Sequence, residues 1–316
     1  MVRYFIILLF AFTNAYSQSN NPEYIMQLAK EKVGIRDFAG AIKLYNNLIL
    51  VNEDYVDAYV GRAYARNIIG KDADALKDVY KALSLNNNHA EAYFVRGRIL
   101  LSNNELDKAL TDFNTALELN PKLRQAFAGK VAVNVYKEDF KKAEDLIKTG
   151  LELYPDFGDF YFYMGKILIA KEKYEDALPL FDKCLEMNRD VDKFDIYLYR
   201  GDAKHKLNQL MEAKIDFENA ILMNPEHASA YHGRGVINYR LGAFDQALDD
   251  FQKAVLIISE NPNRYQNSGE IYYNLGMTYY RLEEVENACP NFHEGCKRGN
   301  DNSCKMVILR CMNKAQ

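Results

Sequence analysis

Apolar residues recur three and four positions apart along most of the chain, in blocks of about 12 to 14 residues separated by short polar stretches. One block carries Ala92, Tyr93, Val95 and Leu100, and the next carries Leu106, Ala109, Leu110, Phe113, Ala116 and Leu117. This spacing lays an apolar stripe along one face of an α-helix. The blocks come in pairs, so the chain is predicted to be all-α, built from helix-turn-helix units that bury their stripes against one another.

The units repeat. Ala41, Ala75, Ala109, Ala143, Ala177, Ala213, Ala247 and Ala288 each begin a pattern of alanine, then a large apolar residue four on, then, in every unit but the first, where it is Leu48, a small residue three further on. Successive steps are 34, 34, 34, 34, 36, 34 and 41 residues. Earlier in the unit an aromatic and a glycine stand four apart, as in Tyr93/Gly97, Tyr161/Gly165, Tyr197/Gly201, Tyr231/Gly235 and Tyr272/Gly276. Pro121, Pro155 and Pro225 fall at unit ends. Numbering each unit so that the alanine is position twenty puts the glycine at position eight. The pattern resembles the tetratricopeptide repeat over residues 22–302, in eight copies. The resemblance implies a right-handed superhelical solenoid with a concave groove lined by the first helices. The first and fourth units have Ala29 and Val131 at position eight, and the divergent first unit is read as an end cap.

Position seven is Arg62, Arg96, Arg200 or Arg234 in four units, and position twenty-three is Asp78, Asp112, Asp216 or Asp250 in the same four. The other four units carry neither residue. Each arginine is therefore expected to bond the aspartate of its own unit, a structural role and not an anion site.

Composition narrows the function. With 40 Lys+Arg against 44 Asp+Glu, a net charge of -4 and no basic run, the chain has no electrostatic footprint for nucleic acid or an anionic membrane. Only 7 Pro and 17 Gly are present and no linker divides the sequence. At the N-terminus, Arg3, an apolar run from Tyr4 to Phe12, and small residues Ala15 and Ser17 follow the order of a secretory signal peptide, assigned to residues 1–17, with Thr13 and Ala15 serving equally for a cut before Tyr16. The run is too short to span a bilayer. The expected product is exported, periplasmic or secreted, without a stable membrane span.

Four of the five cysteines lie between Cys289 and Cys311. Cys289 and Cys296 are seven apart on one helix, and Cys304 and Cys311 seven apart on a predicted capping helix over 302–313. Seven residues rise roughly 10 Å, beyond the ~7 Å Cα separation a disulfide tolerates. Of the two cross-helix patterns, Cys296 with Cys304 and Cys289 with Cys311 is symmetric about Asn300, as an antiparallel hairpin requires. The segment from Gly295 to Cys304 also resembles secreted Sel1-like cysteine-rich repeats. The competing chemistry is zinc on the face formed by Cys289, His293 and Cys296. Cys184, at a position held elsewhere by small residues, is expected to be a buried core residue.

No catalytic constellation is present: no Gly-rich phosphate loop, no H-E-x-x-H and no G-x-S-x-G. His89 and His227 read as turn residues, and His205 and His232 as groove surface. The expected function is a non-catalytic protein-interaction scaffold, requiring no cofactor, that binds a protein or peptide segment in the groove. In the family resembled here, positions two, five, nine and twelve face that groove. They nominate Tyr64, Phe94, Arg98, Phe162, Lys166, Asp202, His232, Tyr239, Tyr273, Met277 and Tyr280. The family's Lys/Asn clamp for a C-terminal carboxylate is absent. The alternative is an envelope protein binding a metal or small ligand through the C-terminal Cys/His face. The seven extra residues before the eighth unit, within Ser259–Ser268, are a candidate functional loop.

Overall fold

The computed structural model describes residues 21–187, 193–260 and 268–312. Among them are 17 α-helices and no strand. The proposed signal segment and most of the loop before the eighth repeat lie outside the described residues. The chain divides into two units, Met1–Pro155 and Asp156–Gln316.

The first unit holds four helix pairs. They are α1 (Pro22–Gly34) with α2 (Phe38–Val51), α3 (Val56–Ile68) with α4 (Asp72–Leu85), α5 (Ala90–Ser102) with α6 (Leu106–Leu119), and α7 (Arg124–Tyr136) with α8 (Phe140–Leu153). The second holds α9 (Gly158–Ala170) with α10 (Tyr174–Met187), α11 (Lys193–Lys206) with α12 (Leu210–Met223), α13 (Ala228–Arg240) with α14 (Phe244–Glu260), and α15 (Gly269–Arg281) with α16 (Val285–Lys297). A short α17 (Asp301–Met306) follows. Within each unit of the chain, consecutive helices pack on one another.

The turn inside every pair is closed by a residue in left-handed conformation at position fifteen. These are Arg36, Gly70, Asn104, Glu138, Glu172, Asn208, Gly242 and Glu283, with φ from 57° to 77°. The left-handed residue lets the next N–H turn back to a carbonyl of the preceding helix, as Lys71 N does to Arg66 O at 2.8 Å. Only two of the eight are glycine.

Helix pairs lock through position twenty-four. Phe113 is fully buried between Gly97 of its own pair and Gly129 of the next, where an added Cβ would come within 2.8 and 2.6 Å of the ring. In the fourth repeat Val131 replaces the position-eight glycine, and the opposing residue shrinks to Ile147. Both are fully buried.

The four arginines make the expected bonds. Arg62, Arg96, Arg200 and Arg234 each donate two N–H groups to Asp78, Asp112, Asp216 and Asp250, and all four aspartates are buried. Two of these sites hold a second cation from position eleven: Arg66 Nη1 lies 2.6 Å from Asp78, and Lys204 Nζ lies 2.7 Å from Asp216.

The cap differs from a single helix over 302–313. After Met306 the chain widens into a π-helical turn over Val307–Cys311, and Asn313 lies outside the described residues. Disulfides join Cys296 to Cys304 and Cys289 to Cys311, with Cα separations of 4.7 and 5.7 Å. α17 packs on both α15 and α16, as the first helix of a further repeat would. Asn300 caps it by accepting from Ser303 N at 2.8 Å. Ser303 then occupies the place of Ala92 in α5, and like Ala92 it is fully buried. In this register Cys296 and Cys304 stand at positions twenty-eight and four. Between the first two repeats those positions are Ile49 and Tyr59, which belong to one packed cluster. At the end of the chain a covalent bond takes the place of that apolar contact.

Cys184 is buried, bonded to Gly158 O at 3.4 Å, and its thiol is pushed up to about 12 by burial. It is a core residue, not a nucleophile.

Candidate binding surfaces

In the first unit, α1, α3 and α5 line an open pocket of about 340 Å³. Met26, Val33, Val60 and Phe94 supply apolar surface, Lys30, Asp57 and Glu91 supply charge, and His89 adds a polar ring. Tyr64 forms part of the wall, and Arg98 lies over its ring at 4.6 Å. The groove positions point to Tyr64, Phe94 and Arg98. They pass over Lys30 and Val33 because the divergent first repeat reads as an end cap, whereas its α1 forms one side of the pocket. His89 does more than close a turn. Its Nδ1 accepts from Ala92 N at 3.3 Å, capping α5, and its Nε2 lies 2.9 Å from Asp57 Oδ1. The Asp57 contact raises the imidazole above its ordinary pKa, and that same contact holds the Asp57 carboxyl below its own.

In the second unit the nominated residues divide. Phe162 is buried, with its ring 6.2 Å from Phe181 and 5.7 Å from Tyr199, so it is core and not free groove surface. Lys166 Nζ lies 4.8 Å above the Tyr199 ring. Tyr239 accepts from Arg281 Nε at 3.2 Å. Tyr273, Met277 and Tyr280 pack around Phe292 and Val307, and Arg310 lies 5.4 Å over the Tyr280 ring. The cap therefore occupies the surface expected to be open there, because α17 lies against α15.

The electrostatics of Asp202 and His232 are linked through the charge of Glu270, and His205 acts on His232. His232 Nε2 lies 2.9 Å from Asn274 Nδ2. Burial, then repulsion from Arg240 and Lys206, lowers the His205 pKa; burial, opposed by Glu270, lowers that of His232. Asp202 is exposed, and the protein around it pushes its carboxyl up to about 7, with Lys206 opposing and Glu270 adding. The folded pKa lies above the ordinary 3.8, so folding is favoured most in acid, and this contribution is lost as pH rises through about 7. Asp202→Asn is expected to be more stable than wild type at pH 8 and to differ little at pH 4. Denaturant titrations at the two pH values check it, and an equal difference at both would exclude the shifted carboxyl.

Cys289 and Cys296 are both oxidised, so the Cys289/His293/Cys296 face has no thiolate to offer a metal. Among the described residues no group of three His, Cys, Asp or Glu could hold one.

Three family models, each described as tetratricopeptide repeat, match residues 226–290, residues 90–123, and residues 26–85 with 134–191. Together they cover more than half the chain and fall on the helix pairs described above. The chain is a tetratricopeptide repeat protein.

The solved tetratricopeptide structures it resembles agree in fold. A chain of the APC/C hetero-tetramer Cut9–Hcn1 superposes with a TM-score of 0.76 at 14% identity, over 95% of this chain and 57% of that one. The protein thus spans little more than half that neighbour's length. A tetratricopeptide repeat protein from Parabacteroides merdae gives a TM-score of 0.53 at 20% identity, over 81% of this chain and 98% of that one. No curated protein matches. No helix among the described residues is long and apolar enough to cross a membrane.

Proposed function

We propose that this protein is an exported, non-catalytic scaffold that captures an extended peptide or helix of a partner protein on α1, α3 and α5. The observation that carries the reading is the open pocket there, with apolar surface from Met26, Val33, Val60 and Phe94 beside Lys30, Asp57 and Glu91. An apolar anchor side chain seats in such a pocket while the charges fix its direction. Tyr64 and Arg98 are half-buried and stacked, so they offer rigid contact area at little entropic cost. Export through residues 1–17 is supported by the two disulfides, which persist in oxidising compartments.

The test is affinity capture from the native host's envelope with the chain from Gln18, run beside Tyr64→Ser/Arg98→Ser. The double variant is expected to keep its helicity and to bind the captured protein about tenfold or more weakly, since hot-spot residues contribute at least ~2 kcal/mol. Equal capture by a folded double variant would overturn the assignment of this pocket.

A further inference from the structure

Position twenty-four is apolar in seven repeats, which carry Phe, Val or Ile there. The first repeat alone has a polar tip at this position, on Tyr45 of α2. Tyr45 is only 2% exposed, and its hydroxyl has no hydrogen-bond partner among the described residues. A buried phenol ordinarily finds one, because an unmade hydrogen bond leaves the cost of desolvating the hydroxyl uncompensated.

The hydroxyl is reachable from one side. It is not sealed in the interior as Asn238 Oδ1 and Ser303 Oγ are, and Tyr45 lines the open pocket on α1, α3 and α5. Gly61, which lines the same pocket, marks where the ring tip lies: a Cβ there would come 2.4 Å from Tyr45 Cζ and 2.7 Å from its hydroxyl oxygen. Any side chain at position 61 would displace the phenol. Burial pushes the Tyr45 hydroxyl up to about 12, so at neutral pH it keeps its proton and can donate. Nearby carboxylates have other contacts: Asp57 lies 2.9 Å from His89 Nε2, and Glu91 lies 3.6 Å from Nδ1 of the same ring. These two carboxylates share the pocket with one lysine, Lys30, which disfavours a negatively charged acceptor.

We propose that the Tyr45 hydroxyl is the specificity donor of this pocket and that the partner residue seated there is a glutamine. Its two methylenes lie against the apolar surface of Met26, Val60 and Phe94, its carboxamide oxygen accepts from Tyr45, and its N–H groups suit the carboxylates of the same pocket. An aliphatic residue of similar length would strand the hydroxyl, and a site built to hydrogen-bond a ligand group rejects the analogue that lacks it. The inference rests on the reading of this pocket as the capture site and adds the chemistry of the anchor.

The probes are the peptides acetyl-Gly-X-Gly-amide with X as Gln, Leu or Glu, which share one backbone, so differences between them report the side chain. Binding is read by NMR from the methyl signals of Val33 and Val60. The Gln peptide is expected to shift them saturably and to bind about fivefold more tightly than the Leu or Glu peptide, the ratio that one hydrogen bond of ~1 kcal/mol gives. Tyr45→Phe, which copies Phe113 of the third repeat, is expected to keep or raise Tm and to lose the preference for Gln, with Leu binding unchanged or tighter. A purely structural hydroxyl would move Tm without moving that ratio. No saturable shift with the Gln peptide, equal or tighter binding of the Leu or Glu peptide by the wild type, or an unchanged Gln preference in Tyr45→Phe overturns the proposal. Saturable binding without a preference overturns the role of the hydroxyl and leaves the pocket as the capture site, which the comparison with Tyr64→Ser/Arg98→Ser tests by itself.

Discussion

Replacing Asp216 with alanine is expected to destabilise the protein by about 3–5 kcal/mol, the range for breaking one side of a buried charge cluster. Asp216 is fully buried. Arg200 donates to it through Nε at 2.9 Å and Nη2 at 2.5 Å, and Lys204 Nζ lies at 2.7 Å. The two cations have side-chain exposures of only 16% and 17%. Truncation of the aspartate would leave both largely desolvated, with the exposed Asp182 as the remaining partner of Arg200. Converting the whole group to Arg200→Met, Lys204→Leu and Asp216→Leu removes the charges together with their desolvation cost, and is expected to destabilise less than the single change. Denaturant unfolding of both proteins, with hydrogen exchange over α11 and α12 to catch local opening, makes the comparison. If the triple change were the more damaging, the cluster would be a net source of stability and not a compensated burial.

The repeat and the Arg–Asp bonds were legible because they recur: eight copies at nearly constant spacing average away local noise, and four matched pairs have one plain explanation. The turns inside the helix pairs were not. Six of the eight left-handed residues are Arg, Asn or Glu, so no glycine signal marks them, and tertiary packing imposes the conformation. The family's groove positions located Tyr64, Phe94 and Arg98 beside the first pocket. They misplaced Phe162, because which side of a first helix is covered depends on ring contacts with neighbouring helices. They misplaced Tyr273, Met277 and Tyr280 because those positions are open only where no further helix follows, and α17 does follow.

That role of α17 leads to the second large effect. Breaking both disulfides, by Cys→Ser at Cys289, Cys296, Cys304 and Cys311, is expected to release the segment from Asp301 to Met312 and to cost about 2–4 kcal/mol for each bond. α17 is only 6 residues long, too short to hold helical form by propensity. The outer surface of the cap offers little compensation, since Ile308, Leu309 and Met312 are exposed. What the cap covers is substantial: Tyr273, Met277 and Tyr280 beside Phe292. Hydrogen exchange over 301–312 should change from protected to near-free in the serine variant, with partial loss of protection spreading into α15. Cys296→Leu with Cys304→Tyr rebuilds the apolar contact made by Ile49 and Tyr59, and with Cys289–Cys311 intact should retain most of the cap's protection. Full protection in the quadruple serine variant would mean that packing alone holds the cap. Loss of protection in the Leu/Tyr variant would mean that α17 does not sit in the register of a further first helix.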